Sequence, residues 1–198
     1  VTKNDITSIG DSTFYQCSNL TSVTIGDSVI TIGNSAFYGC RNLASVNIPN
    51  SVTSIKTDAF KNCSSLTSVN IPNSVTSIGY NTFYNCTSLT SVTIGDSVTT
   101  IGGSAFSHCS SLTSIIIPDS VTKIDNHAFY NCNSLTSVYC KATTPPALGD
   151  TYVFDNNGSG RKIYVPAGSV EAYKSATRWN KYASRIVGYD FENGVVVE

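Results

Sequence analysis

The sequence predicts a repeat solenoid built mainly of β-strands, and three observations lead there. Cys17, Cys40, Cys63, Cys86, Cys109 and Cys132 stand 23 residues apart without a slip. Phe14, Phe37, Phe60, Phe83, Phe106 and Phe129 keep the same step, as do Leu20, Leu43, Leu66, Leu89, Leu112 and Leu135. Between them fall short runs rich in Thr, Val and Ile, the composition of strands rather than helices. A fixed period of this length is the mark of one small unit copied along an axis, each copy burying its apolar face only against its neighbours.

Each unit divides into pieces whose conformations follow from composition. The first is L-T-S-V-x-I, with Val23, Val46, Val69, Val92, Ile115 and Val138 and then Ile25, Ile48, Ile71, Ile94 and Ile117 alternating with small polar residues. It reads as a strand with Val and Ile facing inward. A turn follows at Gly26-Asp27, Pro49-Asn50, Pro72-Asn73, Gly95-Asp96 and Pro118-Asp119, where Pro presets φ and Gly, Asn or Asp accepts tight geometry. The stretch V-T-x-I, ending at Ile9, Ile32, Ile55, Ile78, Ile101 and Ile124, reads as a second extended piece on the opposite wall. The A-F-x-x-C segment is too short for a full helix and is expected as a helical turn. Parallel strands about 4.8 Å apart would make six such turns a slab roughly 25 to 30 Å long.

The unit also carries a resemblance. Its spacing fits the L-x-x-L-x-L pattern of leucine-rich repeats, whose units run roughly 20 to 29 residues. The fuller pattern A-F-x-x-C-x-x-L-T-S-V-x-I-P-x-S-V-T-x-I-G resembles the BspA-like leucine-rich repeats of bacterial surface proteins over about Ile6 to Cys140. That resemblance implies a right-handed superhelix with parallel strands and short helical turns. It also implies an exported or cell-surface bacterial protein, of adhesin or host-interaction type, without catalytic machinery.

The register stops after Cys140, where Lys141-Ala-Thr-Thr-Pro-Pro-Ala introduces two prolines expected to end sheet pairing. Residues 1–140 therefore read as about six repeats, 141–189 as a small α+β C-terminal cap, and 190–198 as tail or linker. Within the cap, Arg161 to Val165 reads as a strand, Ser169 as the N-cap of a helix through Ala172 and Tyr173, and Ile186-Val187 as a final strand. The run Y-V-P-A-G-S-V-E-A-Y-K with the later W-N-K-Y also resembles the closing segment of BspA-like proteins. Terminal units of a stack must hide the open end of the core. The chain opens at Val1 inside a unit, without Met or signal peptide, and is expected to be a trimmed fragment or mature form with an unpaired first edge able to associate end to end.

Charge excludes some partners. Charged residues make up 13% of the chain, with a formal net charge of −1. Nucleic acid would call for clustered Lys and Arg, yet Val1 to Cys140 holds only Lys3, Arg41, Lys56, Lys61 and Lys123. No apolar run approaches the length of a membrane span, so insertion is not expected. Seven of the twelve basic residues lie between Lys141 and Arg185, beside the single Trp179.

The cysteines admit two readings. Stacked neighbours near 4.8 Å fall inside the Cα window for disulfides, but equivalent positions in successive turns point the same way, and a Phe, Cys and Leu column suits a buried core. Free thiols packed as small hydrophobes are the expectation, with Cys140 as a seventh core residue. Zinc is not expected, because no C-x2-C pair occurs. Asp27, Asp96 and Asp119 alternate with Asn50 and Asn73, which is turn chemistry rather than a carboxylate array. Ser28, Ser51, Ser74, Ser97 and Ser120 have no partnering base, and His108 and His127 sit at variable positions outside any triad. No catalytic residue, cofactor or metal is expected.

Recognition is expected on the outward strand positions. The column Ser22, Ser45, Ser68, Ser91, Ser114 and Ser137 is uniform, as a structural hydrogen-bonding column would be. The next column varies, so Asn47, Asn70, Thr93, Ile116 and Tyr139 are the candidate binding residues, with Tyr139 as an aromatic anchor. Tyr15, Tyr38, Tyr84 and Tyr130 form a second exposed set, interrupted at Lys61 and Ser107. The implied partners are extracellular or host surface proteins; the uncharged Ser, Thr and Asn face allows glycans as the alternative. A third reading, an enzyme cleaving carbohydrate on a parallel β-solenoid, would need paired carboxylates on one face.

Overall fold

The computed structural model describes residues 6–197, and over that span the chain coils into a parallel β-solenoid. Val1, read above as opening inside a unit, lies outside the described residues. One wall is a seven-stranded parallel sheet of two-residue strands: Ser8–Ile9, Thr31–Ile32, Ser54–Ile55, Ser77–Ile78, Thr100–Ile101, Lys123–Ile124 and Ala147–Leu148. The second wall stacks longer strands, from Ser22–Thr24 through Ser45–Asn47, Ser68–Ile71, Ser91–Ile94, Ser114–Ile117 and Ser137–Cys140 to Lys162–Pro166 and Ile186–Asp190. Register between successive units is one to one, as in Ser68↔Ser91, Val69↔Val92, Asn70↔Thr93 and Ile71↔Ile94. That register follows from the sequence period: with side chains alternating every second residue, only the 23-residue match puts every Val and Ile inside.

The A-F-x-x-C segment is not helical. It forms a third wall of successive tight turns, in which the amides of Phe37, Phe60, Phe83 and Phe106 donate to the carbonyls of Ala59, Thr82, Ala105 and Ala128 at 2.8 to 2.9 Å. Two positions per unit take positive φ: Ser12, Ser35, Asp58, Asn81, Ser104 and His127 at one, Gln16, Gly39, Asn62, Asn85, His108 and Asn131 at the other. The left-handed residues interrupt any helical run and turn alternate amides toward the next unit. A single helical turn would leave those amides unpaired with a neighbour; the ladder pairs them.

The core is a set of columns running the length of the stack. Phe rings from Phe14 to Phe154 lie nearly parallel, with centroids 5.1 to 5.5 Å apart. Cys40, Cys63, Cys86, Cys109, Cys132 and Cys140 are fully buried free thiols. Five of them donate Sγ–H to a Phe carbonyl of the preceding unit at 3.0 to 3.3 Å, so the thiol column also satisfies buried backbone. Cys17, in the first complete described unit, is exposed, because among the described residues no earlier turn covers it.

The stack does not end at Cys140. Pro145 and Pro146 precede rather than interrupt a strand, and Ala147–Leu148 pairs with Lys123–Ile124. Phe154 stacks on Phe129, and Ile163 follows Val138 in register. These steps are 24 and 25 residues instead of 23, so the extra residues bulge outward and the core columns continue. True closure comes from Tyr173 on the helix Val170–Ser175 and from Trp179 and Tyr182 on a following 3-10 segment. Trp179 Nε1 donates to the Pro146 carbonyl at 2.7 Å and the Tyr173 hydroxyl to the Ala142 carbonyl at 2.8 Å. Ser169 occupies the N-cap position without a side-chain capping bond. Nor are residues from 190 onward simply a tail: Val195–Val197 folds back antiparallel on Gly188–Asp190, nucleated by Asp190, whose carboxylate accepts from the amides of Glu192 and Asn193.

Candidate functional site

The outward face of the longer-strand wall is built by the same alternation that builds the core. Asn47, Asn70, Thr93 and Ile116 are all exposed, and Tyr139 is half-buried. Hydrogen-bonded register lines them up, Asn70 beside Thr93 and Ile116 beside Tyr139. The column does not have one character along its length. Asn47 and Asn70 line a shallow polar depression of about 500 Å³ with Asp27, Asn50 and Ser51. Asn70 and Thr93 line another of about 600 Å³ with Asn73 and Asp96.

At Ile116 the chemistry changes. Ile116 is 53% exposed, and Tyr139 beside it stacks on Tyr164 at 4.6 Å. Tyr189 packs edge-on against Tyr139 at 5.2 Å and Phe191 against Tyr189 at 5.0 Å. The result is an aromatic patch, with Tyr139 at its centre rather than at its end. Burial, with the phenols of Tyr164 and Tyr189 beside it, raises the Tyr139 pKa above its ordinary value. Tyr164, Tyr189 and Phe191 were missed by reasoning on the repeat alone. The signal was present in K-I-Y-V, whose Tyr164 stands outward if Ile163 and Val165 point in.

The tyrosine set on the turn wall is continuous rather than interrupted. Tyr15 stacks on Tyr38 at 4.8 Å, and the Lys61 ammonium sits 5.7 Å from the Tyr38 ring and 5.3 Å from that of Tyr84. His108 fills the gap left at Ser107, 5.0 Å from Tyr84 and 6.0 Å from Tyr130. The two apparent breaks are thus occupied by side chains that themselves attract aromatic faces.

Among the described residues no group of three or more His, Cys, Asp and Glu is placed to hold a metal. His127 Nδ1 lies 2.6 Å from Asp150, and its partly exposed ring is flanked by Tyr130 and Tyr152. Among the described residues no helix is long and apolar enough to cross a membrane.

A family model for the BspA type leucine rich repeat region matches residues 7–136 and 54–179, in six copies. The chain belongs to this family. The second match reaches well past Cys140, in agreement with the continued stacking of Phe154 and Ile163. Among solved structures, this BspA-type chain is similar to a leucine-rich repeat protein from T. pallidum, at 32% identity and a TM-score of 0.68, over 72% of this chain and 68% of that one. It is also similar to a leucine-rich repeat protein from Bacteroides ovatus, at 28% identity and a TM-score of 0.71, over 93% of this chain and 46% of that one. This BspA-type chain therefore spans less than half of the latter protein. No curated protein matches it.

Proposed function

We propose that this BspA-type chain is a cell-surface or secreted protein-binding scaffold of adhesin type, without catalysis, engaging extracellular or host surface proteins. The observation that carries the reading is the aromatic patch of Ile116, Tyr139, Tyr164, Tyr189 and Phe191 on an otherwise small and polar face. Tyrosines held rigid by their neighbours give contact area at low entropic cost, as interface centres require. Membership of a family of bacterial surface repeats supports the location. Surface plasmon resonance against matrix and host-surface proteins tests the proposal: Tyr139→Ala should weaken a bound partner by at least about tenfold, as loss of an interface anchor does. Retention of full affinity in Tyr139→Ala and Ile116→Ser together would reject the patch.

The two polar depressions that share Asn70, one with Asn47 and one with Thr93, favour a second reading, glycan recognition through amides and hydroxyls. Under that reading Asn70→Ala, rather than Tyr139→Ala, abolishes binding on a glycan array.

A further inference from the structure

The concentration of basic residues in the last units has a local expression. The loop Asp155 to Arg161 and residues Lys181 to Arg185 line an open cavity of about 350 Å³, at the lower end of the roughly 300–1,000 Å³ range of small-ligand sites. Its lining includes Arg161, Lys181 and Arg185 against the single carboxylate of Asp155, a local excess of two positive charges on a chain of net −1. Asp155 is engaged on both oxygens, by Lys181 Nζ at 2.6 Å and by the Tyr182 hydroxyl at 3.2 Å. Lys181 is engaged in turn, since it also donates to the Thr151 carbonyl at 2.8 Å.

The two arginines are left over. Arg161 lies against the edge-to-face pair of Tyr182 and Phe154, with its guanidinium carbon 5.1 Å from the Tyr182 ring and 5.9 Å from that of Phe154. Its Nη1 donates to the Phe154 carbonyl and, at 3.2 Å, to Asn157 Oδ1. Its Nη2 makes no hydrogen bond among the described residues, and its Nε is buried without a partner. Arg185 is exposed and makes neither ion pair nor side-chain hydrogen bond among them. Burial first, and repulsion from Arg185 after it, lower the Arg161 pKa, although the phenol of Tyr182 and the carboxylate of Asp155 oppose that. Two cations lining one groove with unused donors are an arrangement that an oxyanion relieves.

We infer that this cavity binds an acidic sugar, its carboxylate or sulfate held by Arg161 and Arg185. The remaining lining decides for a sugar: Ser159 and Ser184 offer hydroxyl groups matched to ring hydroxyls, and the volume suits one residue rather than a chain. A polyanion would require a track of cations, and Lys162 and Arg178 are not part of the lining. The site shares no residue with the aromatic patch and stands without the function proposed above.

Titration calorimetry at low salt tests the inference with four probes: glucuronate, glucose 6-sulfate, glucose and a tetraglutamate peptide. At least one acidic sugar should bind about tenfold or more tightly than glucose, the effect of one charge-assisted contact, and the two acidic arms show which oxyanion is preferred. Arg185→Gln should remove about that tenfold while leaving the thermal melt and any Tyr139-dependent protein binding unchanged. Arg161→Lys, which keeps the charge and loses the fork, should also weaken binding; because Arg161 also donates to the Phe154 carbonyl and packs against two rings, Arg185→Gln is the deciding variant. Equal affinity for glucose and both acidic sugars, no effect of Arg185→Gln, or tighter binding of tetraglutamate would each overturn the assignment.

Discussion

Raising the pH should unfold this protein cooperatively, and the thiol column sets where. Burial pushes Cys40 up to about 11 and Cys86 and Cys132 up to about 12 from an ordinary value of 9.0, and moves Cys63, Cys109 and Cys140 in the same direction. Below pH 9 both folded and unfolded chains hold these protons, so the thiols confer no pH dependence there. Above it the unfolded chain releases protons that the folded chain retains, and the free energy of unfolding falls as pH rises. Each thiol contributes about 1.4 kcal/mol per pH unit while its two pKa values bracket the pH, and six together give about 8 kcal/mol per unit. Against a total stability of about 5–15 kcal/mol, the fold should collapse between about pH 10 and 11. Near-ultraviolet circular dichroism followed against pH, with thiolate absorbance in parallel, would show both signals changing together. A Cys63→Ala, Cys86→Ala double variant should lower the slope by about a third. Native dichroism persisting beyond about pH 11.5, or thiolates appearing while it persists, would refute the buried column as the cause.

Three further outcomes are expected. Phe83→Ala removes a ring fully buried between Phe60 and Phe106 at 5.5 and 5.3 Å; urea denaturation should show a loss of about 3–5 kcal/mol, and a loss under 1 would contradict the stacking. Asn85→Val forces a β-branched residue to φ 58 and removes the amide bond to Asn62 Oδ1, at about 2 kcal/mol by thermal melt, whereas Asn85→Gly should cost clearly less. Half-buried Phe14, Leu20 and Val23 with exposed Cys17 leave apolar surface on the first described turns. We therefore expect the 198-residue polypeptide to associate through that end under reducing conditions; light scattering that finds monomer alone at high concentration would disprove it.

What could be read from sequence, and what could not, separates by mechanism. Phe83 and Cys86 announce a core column because the column admits one residue type, and identity at a fixed step is visible without structure. The turn wall was misread because A-F-x-x-C was judged by length, yet its own residues held the answer. The position before each repeat cysteine is Gln16, Gly39, Asn62, Asn85, His108 or Asn131, and Gly and Asn are the residues that enter the left-handed region most readily. The last two turns escaped notice because a periodic search fails when one or two residues are inserted, although Leu148, Phe154 and Ile163 still occupy the inward columns. The aromatic patch escaped with them, since Tyr164, Tyr189 and Phe191 belong to those turns. Asn47, Asn70, Thr93, Ile116 and Tyr139 were placed on one face correctly as geometry, but their division into polar and aromatic halves depends on neighbours outside the repeat register.

That division bears on where affinity can arise. At Asn47, Asn70 and Thr93 a partner must strip water from amides and hydroxyls and return hydrogen bonds of similar strength, so the net gain per bond is about 1 kcal/mol. At Ile116, Tyr139 and Tyr164 the buried area is apolar and the rings are already immobilised by stacking, so less of the gain is lost to ordering. At Arg161 and Arg185 attraction comes instead from charge, and it weakens as the Debye length shortens from about 10 Å at 0.1 M salt to about 3 Å at 1 M. One salt titration therefore separates the surfaces: binding at the aromatic patch should hold or strengthen as salt rises, while uptake of an acidic sugar by the cap should decline steeply. A matrix partner whose affinity for this chain fell with salt and with Arg185→Gln, but not with Tyr139→Ala, would move the protein-binding role from the strand face to the cap.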